Sequence, residues 1–256
     1  MRGWWVAFLL PIVAWGQQQP YYTTASIVNA CNYSAGPFAP NSILSIFGTN
    51  LSYDTQTLTA DLISGGRLPT LLAHVRVYVA HEWAPLFYVS PTQINFLMPS
   101  DQIAGDVPVQ VVREGVYGPE VTVTLTDAAP QLFDMGNGYA VATHADNTLL
   151  TPDSPAHPNE VIVIYTTGMG ATQPAIANGE IAPFAAWISQ FKNLKVELNG
   201  VPADQSHIWY AGVSPGSAGL YQINLALTGN VAPDPQIEVI IGDHSSTAGL
   251  KIAVGN

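Results

Sequence analysis

Apolar and polar residues alternate along much of the chain, and this period of two limits the possible folds more than any other feature. The pattern occurs over residues 75–79, 107–111, 121–125, 194–198, 237–241 and 250–254. Successive side chains of a β-strand point to opposite faces of its sheet, so each segment predicts a strand with one buried face. Turn-forming Gly, Pro, Asn and Asp separate the segments, as at Asn199-Gly200. Many short strands joined by turns predict antiparallel sandwiches and an all-β protein.

Prolines add two local predictions. A helix is predicted only in short pieces such as Pro183–Ser189, because proline suits the first position of a helix. Pro108 predicts that its strand lies at the edge of a sheet, since proline has no N–H to donate to a neighbouring strand.

The strand pattern occurs twice in the same order. Residues 40–49 match residues 158–167, and Gln93-Ile94-Asn95-Phe96 matches Gln222-Ile223-Asn224-Leu225. The other matches pair 75–79 with 194–198, 87–88 with 209–210, 107–111 with 237–241 and 121–125 with 250–254. Matches in one preserved order predict an internal repeat whose copies differ in loop length. We therefore predict two similar β domains, residues 25–127 and 128–256, joined near Asp127-Ala128-Ala129-Pro130.

The first residues predict export. Arg2 precedes the uncharged apolar run Trp4–Trp15, and Ala14-Trp15-Gly16 offers small residues for a signal peptidase. The alternative is a membrane anchor, but about twelve apolar residues are too few to cross a ~30 Å hydrocarbon layer. We predict a signal peptide at residues 1–16 and a polar leader at 17–24. The mature chain is expected to be secreted, extracellular or in the cell envelope, without an integral membrane segment.

Net charge limits the kinds of partner molecule, and the cysteine count limits disulfide bonding. Only 7 Lys and Arg oppose 18 Asp and Glu, for a formal net charge of −11. Binding a phosphate backbone or an anionic membrane needs basic residues, so we expect no nucleic-acid partner. A single Cys excludes a disulfide within the chain. The partner we expect is an extracellular protein or a polysaccharide.

Several short words carry a family resemblance. They are Ser26–Ala30, Ala39–Leu51, Leu68–Thr70, Val89–Phe96, Thr167–Gly170, Asn199–Ala203 and Gly219–Asn224. Together they make nearly the whole mature chain resemble the secreted acidobacterial proteins with the Solibacter-type uncharacterised C-terminal domain. Each half also resembles, more distantly, immunoglobulin-like folds of the TIG type. The resemblance implies export and two tandem immunoglobulin-like antiparallel β-sandwich domains, and it brings no activity, cofactor or catalytic residue.

One motif suggests an enzyme. Gly212-Val213-Ser214-Pro215-Gly216 fits the G-x-S-x-G pattern of serine hydrolases. The residue after that serine normally donates its N–H to the oxyanion, and Pro215 has none. The pattern also requires a following helix, whereas residues 221–225 predict a strand. We predict a structural turn and no catalytic residue, and keep a hydrolase using Ser214 as an alternative.

Metal and cofactor sites find little support in the sequence. The six histidines (His74, His81, His144, His157, His207 and His244) show no i, i+2 or i, i+4 pair typical of a compact zinc site. Asp146, Asn147 and Asp153 offer oxygen ligands for calcium, but these residue types also form turns. No glycine-rich phosphate loop opens a helix. We predict no metal and no cofactor.

Two amide pairs repeat between the halves. Gln93 and Asn95 share one strand face, as do Gln222 and Asn224. They could form a polar ladder that binds a ligand, or satisfy loop backbone groups that would otherwise be buried unpaired. Because both halves contain the pair, we favour the structural role.

Aromatic residues and the cysteine leave further choices. Phe87-Tyr88 matches Trp209-Tyr210, and the repetition of Phe87 and Trp209 predicts core packing for both. Stacking on a sugar ring or a partner surface remains open for Trp83. Cys31 is expected to be a small buried apolar residue, or a thiol that joins another chain.

The sequence predicts a broad class of function. We expect a secreted, non-catalytic immunoglobulin-like protein that serves in adhesion, extracellular structure or recognition. A carbohydrate-binding module and an extracellular hydrolase are the alternatives, and no ligand-binding residue is assigned.

Overall fold

A computed structural model describes residues 18–255, so the signal peptide predicted at residues 1–16 lies outside the described residues. The first ten strands are β1 (Ile27–Asn29), β2 (Ile43–Phe47), β3 (Gln56–Thr57), β4 (Val75–Val79), β5 (Glu82–Trp83), β6 (Leu86–Val89), β7 (Gln93–Leu97), β8 (Gly105–Arg113), β9 (Val116–Tyr117) and β10 (Val121–Leu125). The others are β11 (Gln131–Leu132), β12 (Ala142–His144), β13 (Val161–Thr167), β14 (Thr172–Gln173), β15 (Ala186–Ile188), β16 (Leu194–Leu198), β17 (Val201–Pro202), β18 (Ile208–Val213), β19 (Tyr221–Ala226), β20 (Ile237–Ile241) and β21 (His244–Ser245).

Short 3₁₀ turns are the helical elements of the described residues. They are Thr24–Ser26, Ala60–Leu62, Phe191–Asn193 and Gln205–His207. Between residues 18 and 255, no helix has the length and apolar character needed to cross a bilayer.

Two antiparallel sheets enclose the core of the first sandwich. One sheet has the order β1-β2-β7-β6-β3, and the other has the order β10-β8-β4-β5 with β9 beside β8. Val75, Val77 and Val79 of β4 are fully buried, as the alternation predicts. They pack with β7 residues Ile94 and Phe96, so the hydrophobic effect joins the two sheets face to face.

The second sandwich repeats this topology. Its sheets have the orders β11-β13-β19-β18-β15-β14, with β12 beside β13, and β17-β16-β20-β21. Strands β12-β13-β19-β18-β15 stand in the order of β1-β2-β7-β6-β3, and a separate core fills the space between the sheets. The prediction of an all-β chain with two tandem immunoglobulin-like antiparallel sandwiches is confirmed.

Three local predictions are wrong. Residues 183–189 contain strand β15 instead of a helix, because Ala186 and Ile188 point into the core on either side of Trp187. Residues 250–254 pair only at isolated bridges, and consecutive residues from Ile252 to Val254 are buried instead of alternating. Pro108 lies in β8, a central strand between β4 and β10, and not at the edge of the sheet. Its missing N–H breaks no bond, because the pairing of β8 with β4 ends at Val109.

The described part of the predicted leader, residues 18–24, packs on the first sandwich. Tyr22 belongs to its core, and its hydroxyl donates to Pro119 O and accepts from Val111 N. Burial raises the pKa of Tyr22 to about 12. The buried Arg113 donates to the carbonyls of Gln18 and Asn50. These bonds tie the segment to the end of β8.

The turn between β18 and β19 docks on the first sandwich. Gly219 has a φ of +71°, and a Cβ there would lie 2.3 Å from Leu97 Cδ1 and 2.9 Å from Ile43 Cγ1. Ala218 joins Leu68 and Leu97 in a small buried cluster. Only glycine combines this left-handed backbone with such a close approach, so the contact depends on Gly219.

Hydrogen bonds complete the contact between the sandwiches. Asn41 Nδ2 donates to the hydroxyl of the fully buried Tyr221 at 3.0 Å. Ile43 N donates to Thr167 Oγ1 at 3.1 Å, and this hydroxyl donates to Gly219 O at 2.9 Å. Burial raises the pKa of Tyr221, although the bond from Asn41 opposes the effect. These buried polar groups are paired across the boundary, which fixes the angle between the sandwiches.

Gly219→Ala is expected to destabilise the protein by about 1–3 kcal/mol more than Gly216→Ala, because only position 219 adds overpacking. Gly216 also has a positive φ, of +79°, but a Cβ added there would meet no atom within 4 Å, so it controls for backbone strain alone. Urea unfolding of both variants measures the difference. Equal losses of stability would contradict the docking contact.

Candidate functional site

Ser214 lies at the end of β18, beside the turn that docks on the first sandwich. Its side chain is 9% exposed, and Oγ donates to Gln222 Oε1 at 2.8 Å. Within residues 18–255, no hydrogen bond joins Ser214 to a histidine. Pro215 has no N–H to donate to an oxyanion, and Ser217 N donates to Ser214 O at 3.1 Å, which closes a turn.

Asp146, one of the oxygen ligands considered for calcium, is used within a local turn. Asp146 Oδ1 instead accepts from Thr148 N at 2.9 Å and from Thr148 Oγ1 at 2.6 Å, which is a turn. These bonds lower the pKa of the Asp146 carboxyl. The residue type therefore serves the local backbone.

His81, Glu82 and Asp101 form a cluster that no sequence pattern indicated. One ligand atom of each lies within 4.8 Å of the others. Asp101 follows β7, some twenty positions after the β4–β5 turn, so no short spacing could reveal the cluster. Glu82 Oε2 already accepts from Asn178 Nδ2 of the second sandwich at 2.7 Å. Glu82 thus belongs to the contact between the halves, and the absence of a metal stays a prediction.

Within each of the repeated amide pairs, the two side chains are joined by a hydrogen bond. Gln93 Nε2 donates to Asn95 Oδ1 at 2.9 Å, and Gln222 Nε2 donates to Asn224 Oδ1 at 2.9 Å. Ser45 Oγ also donates to Asn95 Oδ1. We expected these side chains to bond to loop backbone groups, and this is wrong. In each strand the Gln side chain instead donates to the Asn two positions further along. Both pairs are half-buried on the outer faces of their sheets.

The prediction of core packing is wrong for Trp209, whose surface is 60% exposed. Both sandwiches have a β-bulge here, between Leu86 and Tyr88 and between Ile208 and Tyr210. A bulge inserts an extra residue that leaves the alternation, so Phe87 and Trp209 need not face the core. Phe87 is half-buried in the contact with the second sandwich.

Trp83 lies on the outer face of the β5-β4-β8-β9 sheet. It is 37% exposed, and its ring centroid is 4.8 Å from that of Tyr78, its neighbour across the strands. The guanidinium carbon of Arg76 lies 5.2 Å from the Trp83 centroid. Arg76 is held in turn by a bond from Nη1 to Thr70 Oγ1 at 3.1 Å. The indole is therefore supported by its neighbours while part of its surface stays open.

Tyr117 extends this face on the other side. Its ring is 58% exposed, and β9 places it beside Val112 of β8. Three spacings of about 4.8 Å separate β5 from β9, so Trp83 and Tyr117 stand on strands that lie about 14 Å apart across the sheet. We call this surface the aromatic face; a shallow depression of about 350 Å³ on it is lined by Leu71, His74, Arg76, Trp83, Val112, Glu114, Gly115 and Tyr117.

The aromatic face can bind a flat, weakly polar ligand. Its rings offer apolar area, while Arg76 offers donors and Glu114 offers acceptors beside them. Trp83 stands out in the sequence, whereas Tyr117 does not. The alternation in residues 107–111 predicts which side chains of β8 face outward. No local pattern predicts that β9 pairs with β8 and places Tyr117 on that face.

Comparisons with known proteins bear on the fold only loosely. No family model matches the chain, and no curated protein matches it either. The plexin A4 extracellular region matches 100% of this chain and 20% of its own length at 12% identity, with a TM-score of 0.32. SGBP-B of the Bacteroides ovatus mixed-linkage glucan utilization locus, solved with a mixed-linkage heptasaccharide, matches over 84% of this chain and 44% of its own length (10% identity, TM-score 0.34).

Tandem Ig repeats of Dlar match over 85% of this chain and 91% of their own length, at 12% identity with a TM-score of 0.22. The chain spans less than half the length of the plexin and Bacteroides structures. The fold described above stands on the sheet order and the two cores.

Cys31 is 7% exposed, and its Sγ donates to Asn29 Oδ1 at 2.8 Å. Burial raises the pKa of the thiol, so little reactive thiolate forms at neutral pH. Iodoacetamide is expected to leave Cys31 unmodified in the native protein and to alkylate it in urea, as measured by intact mass. Rapid alkylation of the native protein would show an accessible thiol.

His144 and Glu160 form an ion pair at 2.5 Å. Burial lowers the pKa of His144, but the bond to Glu160 and its charge outweigh this, so the net pKa is raised. A raised folded pKa stabilises the protein below the unfolded value near 6.5, and the gain is lost as pH rises through the folded value.

His144→Gln is therefore expected to lower the free energy of unfolding by about 0.5–1 kcal/mol under mildly acidic conditions and by less under alkaline ones. The exposed His157 provides the control variant His157→Gln. Urea unfolding across this pH range measures both. A loss of stability at His144 that does not vary with pH would contradict the charged pair.

Proposed function

We propose that this chain is a non-catalytic extracellular binding protein that recognises a neutral polysaccharide on its aromatic face. The observation that carries the proposal is the pair of exposed rings, Trp83 and Tyr117, on one sheet surface with polar groups between them. Sugar rings present apolar C–H faces and hydroxyl edges. An open surface with both aromatic area and hydrogen-bonding groups suits such a ligand.

The shape of the aromatic face favours a polymer. The depression is shallow and lies across four strands, so a chain could run over it and continue at either side. A small free ligand would instead need a site that encloses most of its surface. Their strands lie about 14 Å apart across the sheet, a span that one polymer can bridge.

Charge supports a neutral ligand. The chain carries a formal net charge of −11, which repels polyanionic glycans at long range. Arg76 lies on the aromatic face, but it packs against Trp83 and binds Thr70, and Glu114 is nearby. The face therefore has no basic patch of the kind that sulfated or carboxylated polymers require.

Location and the lack of catalysis belong to the same proposal. The run Trp4–Trp15 supports export, and an extracellular module would meet polysaccharide there. Ser214 binds Gln222 beside the contact between the sandwiches, which supports a structural role for the G-x-S-x-G motif. The fixed angle between the sandwiches suits a module used in recognition or adhesion.

Trp83→Ala is expected to weaken polysaccharide binding at least tenfold, which corresponds to a loss of about 1.4 kcal/mol. Trp209→Ala is the matched control, because Trp209 is more exposed but lies on the second sandwich. Affinity electrophoresis through gels containing neutral β-glucan, mannan or xylan measures both variants. Tyr117→Ala is expected to weaken binding in the same gels.

Two outcomes would contradict the proposal. One is that the wild-type protein migrates unretarded through every neutral polysaccharide. The other is that Trp83→Ala and Trp209→Ala reduce retention equally, which would place binding away from the aromatic face. Thermal melting of each variant confirms that the fold is intact.

A further inference from the structure

One edge of the first sandwich is largely unpaired in the part of the chain that the structure describes. Strand β10 pairs with β8 on one side, and on the other side, within residues 18–255, only Phe38 bridges to it, at Leu125. Thr122 lies opposite Pro108, whose C=O accepts from Ala80 N on the far side of β8. Backbone groups of successive residues in an antiparallel pair point alternately to the two sides. The N–H and C=O of Thr122 therefore point to the free edge.

The second sandwich fills the equivalent edge. Lys251 N donates to Gly138 O at 3.0 Å, and Ala140 N donates to Lys251 O at 2.9 Å. Tyr139 thus forms a parallel bridge with Lys251 and packs against the second core. An extended segment from elsewhere in the chain occupies this edge.

The two edges correspond residue by residue. Phe38 N donates to Thr124 O at 3.0 Å, and Ala156 N donates to Ala253 O at 2.9 Å in the second sandwich. Both bridging residues then accept from the residue two positions further along, at 2.8 Å in each case. Two positions earlier, Thr122 therefore corresponds to Lys251. In the first sandwich the 3₁₀ turn Thr24–Ser26 lies beside β10, but among residues 18–255 no segment makes the backbone hydrogen bonds to Thr122 that Gly138–Ala140 makes to Lys251.

A groove marks the vacant position. It has a volume of about 660 Å³, within the ~300–1,000 Å³ range of ligand sites. Its lining is uncharged and includes Ala25, Ile27, Pro37, Phe38, Val123 and Thr124. Ile27, Phe38 and Val123 belong to the first core, so the groove leads directly to that core. We call it the seam groove.

We propose that the seam groove binds an extended, uncharged peptide strand from a partner protein by parallel β-augmentation at Thr122. The second sandwich shows the chemistry of the occupant, which is a segment with small residues on both sides of one aromatic ring. Backbone hydrogen bonds to Thr122 supply binding, and apolar contacts in the groove supply selectivity. The uncharged lining excludes a charged strand, because its charges would be buried without partners. This site is separate from the aromatic face.

A labelled synthetic peptide of residues 135–142, acetylated and amidated at its ends, tests the proposal by fluorescence anisotropy. It contains the Gly138–Ala140 segment that occupies the equivalent edge. We expect saturable binding to the wild-type protein and at least tenfold weaker binding to Thr122→Pro, which loses the edge N–H. Thr122→Val keeps that N–H and the branched shape, so its affinity should stay within twofold. A peptide carrying Ala140→Pro should not bind.

Hydrogen exchange on the wild-type protein keeps the test valid should Thr122→Pro fail to fold. Bound peptide is expected to slow exchange of the Thr122 N–H while leaving the amides of the second sandwich unchanged. Three results would each overturn the proposal: no saturation at millimolar peptide, equal affinity of the Pro and Val variants, or protection confined to other strands. Concentration-dependent dimerisation that the peptide inhibits would also overturn it, since the occupant of the seam groove would then be a second copy of this chain.

Discussion

The docking of the β18–β19 turn on the first sandwich is the contact on which the whole arrangement depends. Gly219 lets the turn approach Leu97 and Ile43 closely, and the fully buried Tyr221 hydroxyl receives a bond from Asn41. The apolar cluster needs the cover of the partner surface, and the Tyr221 hydroxyl, which donates to Gly170 O of its own sandwich, gains a second bond across the boundary. The two sandwiches therefore form one body, in contrast to modules joined by a flexible linker.

The two copies use the same backbone for different purposes. The bulge that directs Phe87 into the contact between the sandwiches leaves Trp209 in solvent on the second copy. The seam that Gly138–Ala140 closes in the second copy is a groove in the first. The strands that hold each core are common to both. Differences concentrate in bulges and connecting segments, where a change costs little of the core.

Local pattern explains what could be predicted from the sequence. The strand that contains Val75, Val77 and Val79 could be predicted, because alternation depends only on neighbouring residues. Trp209 could not be placed in this way, since a one-residue bulge shifts the alternation without a marker in the sequence. Tyr117 and Asp101 reach their neighbours only after the sheet has formed. Residues 250–254 alternate in sequence, yet the consecutive residues 252–254 are all buried at the seam, so they do not form the predicted strand.

The parallel bridges at the seams have a mechanical consequence. Tyr139 and Ala156 lie in the first part of the second sandwich and pair with Lys251 and Val254 in its last part. Because these partners run in the same direction, tension applied at the two ends pulls them in opposite senses along their length. The load is then shared by several bonds that must shear together, whereas an antiparallel hairpin would peel open one bond at a time. Such an arrangement resists tension that pulls the two ends of the sandwich apart.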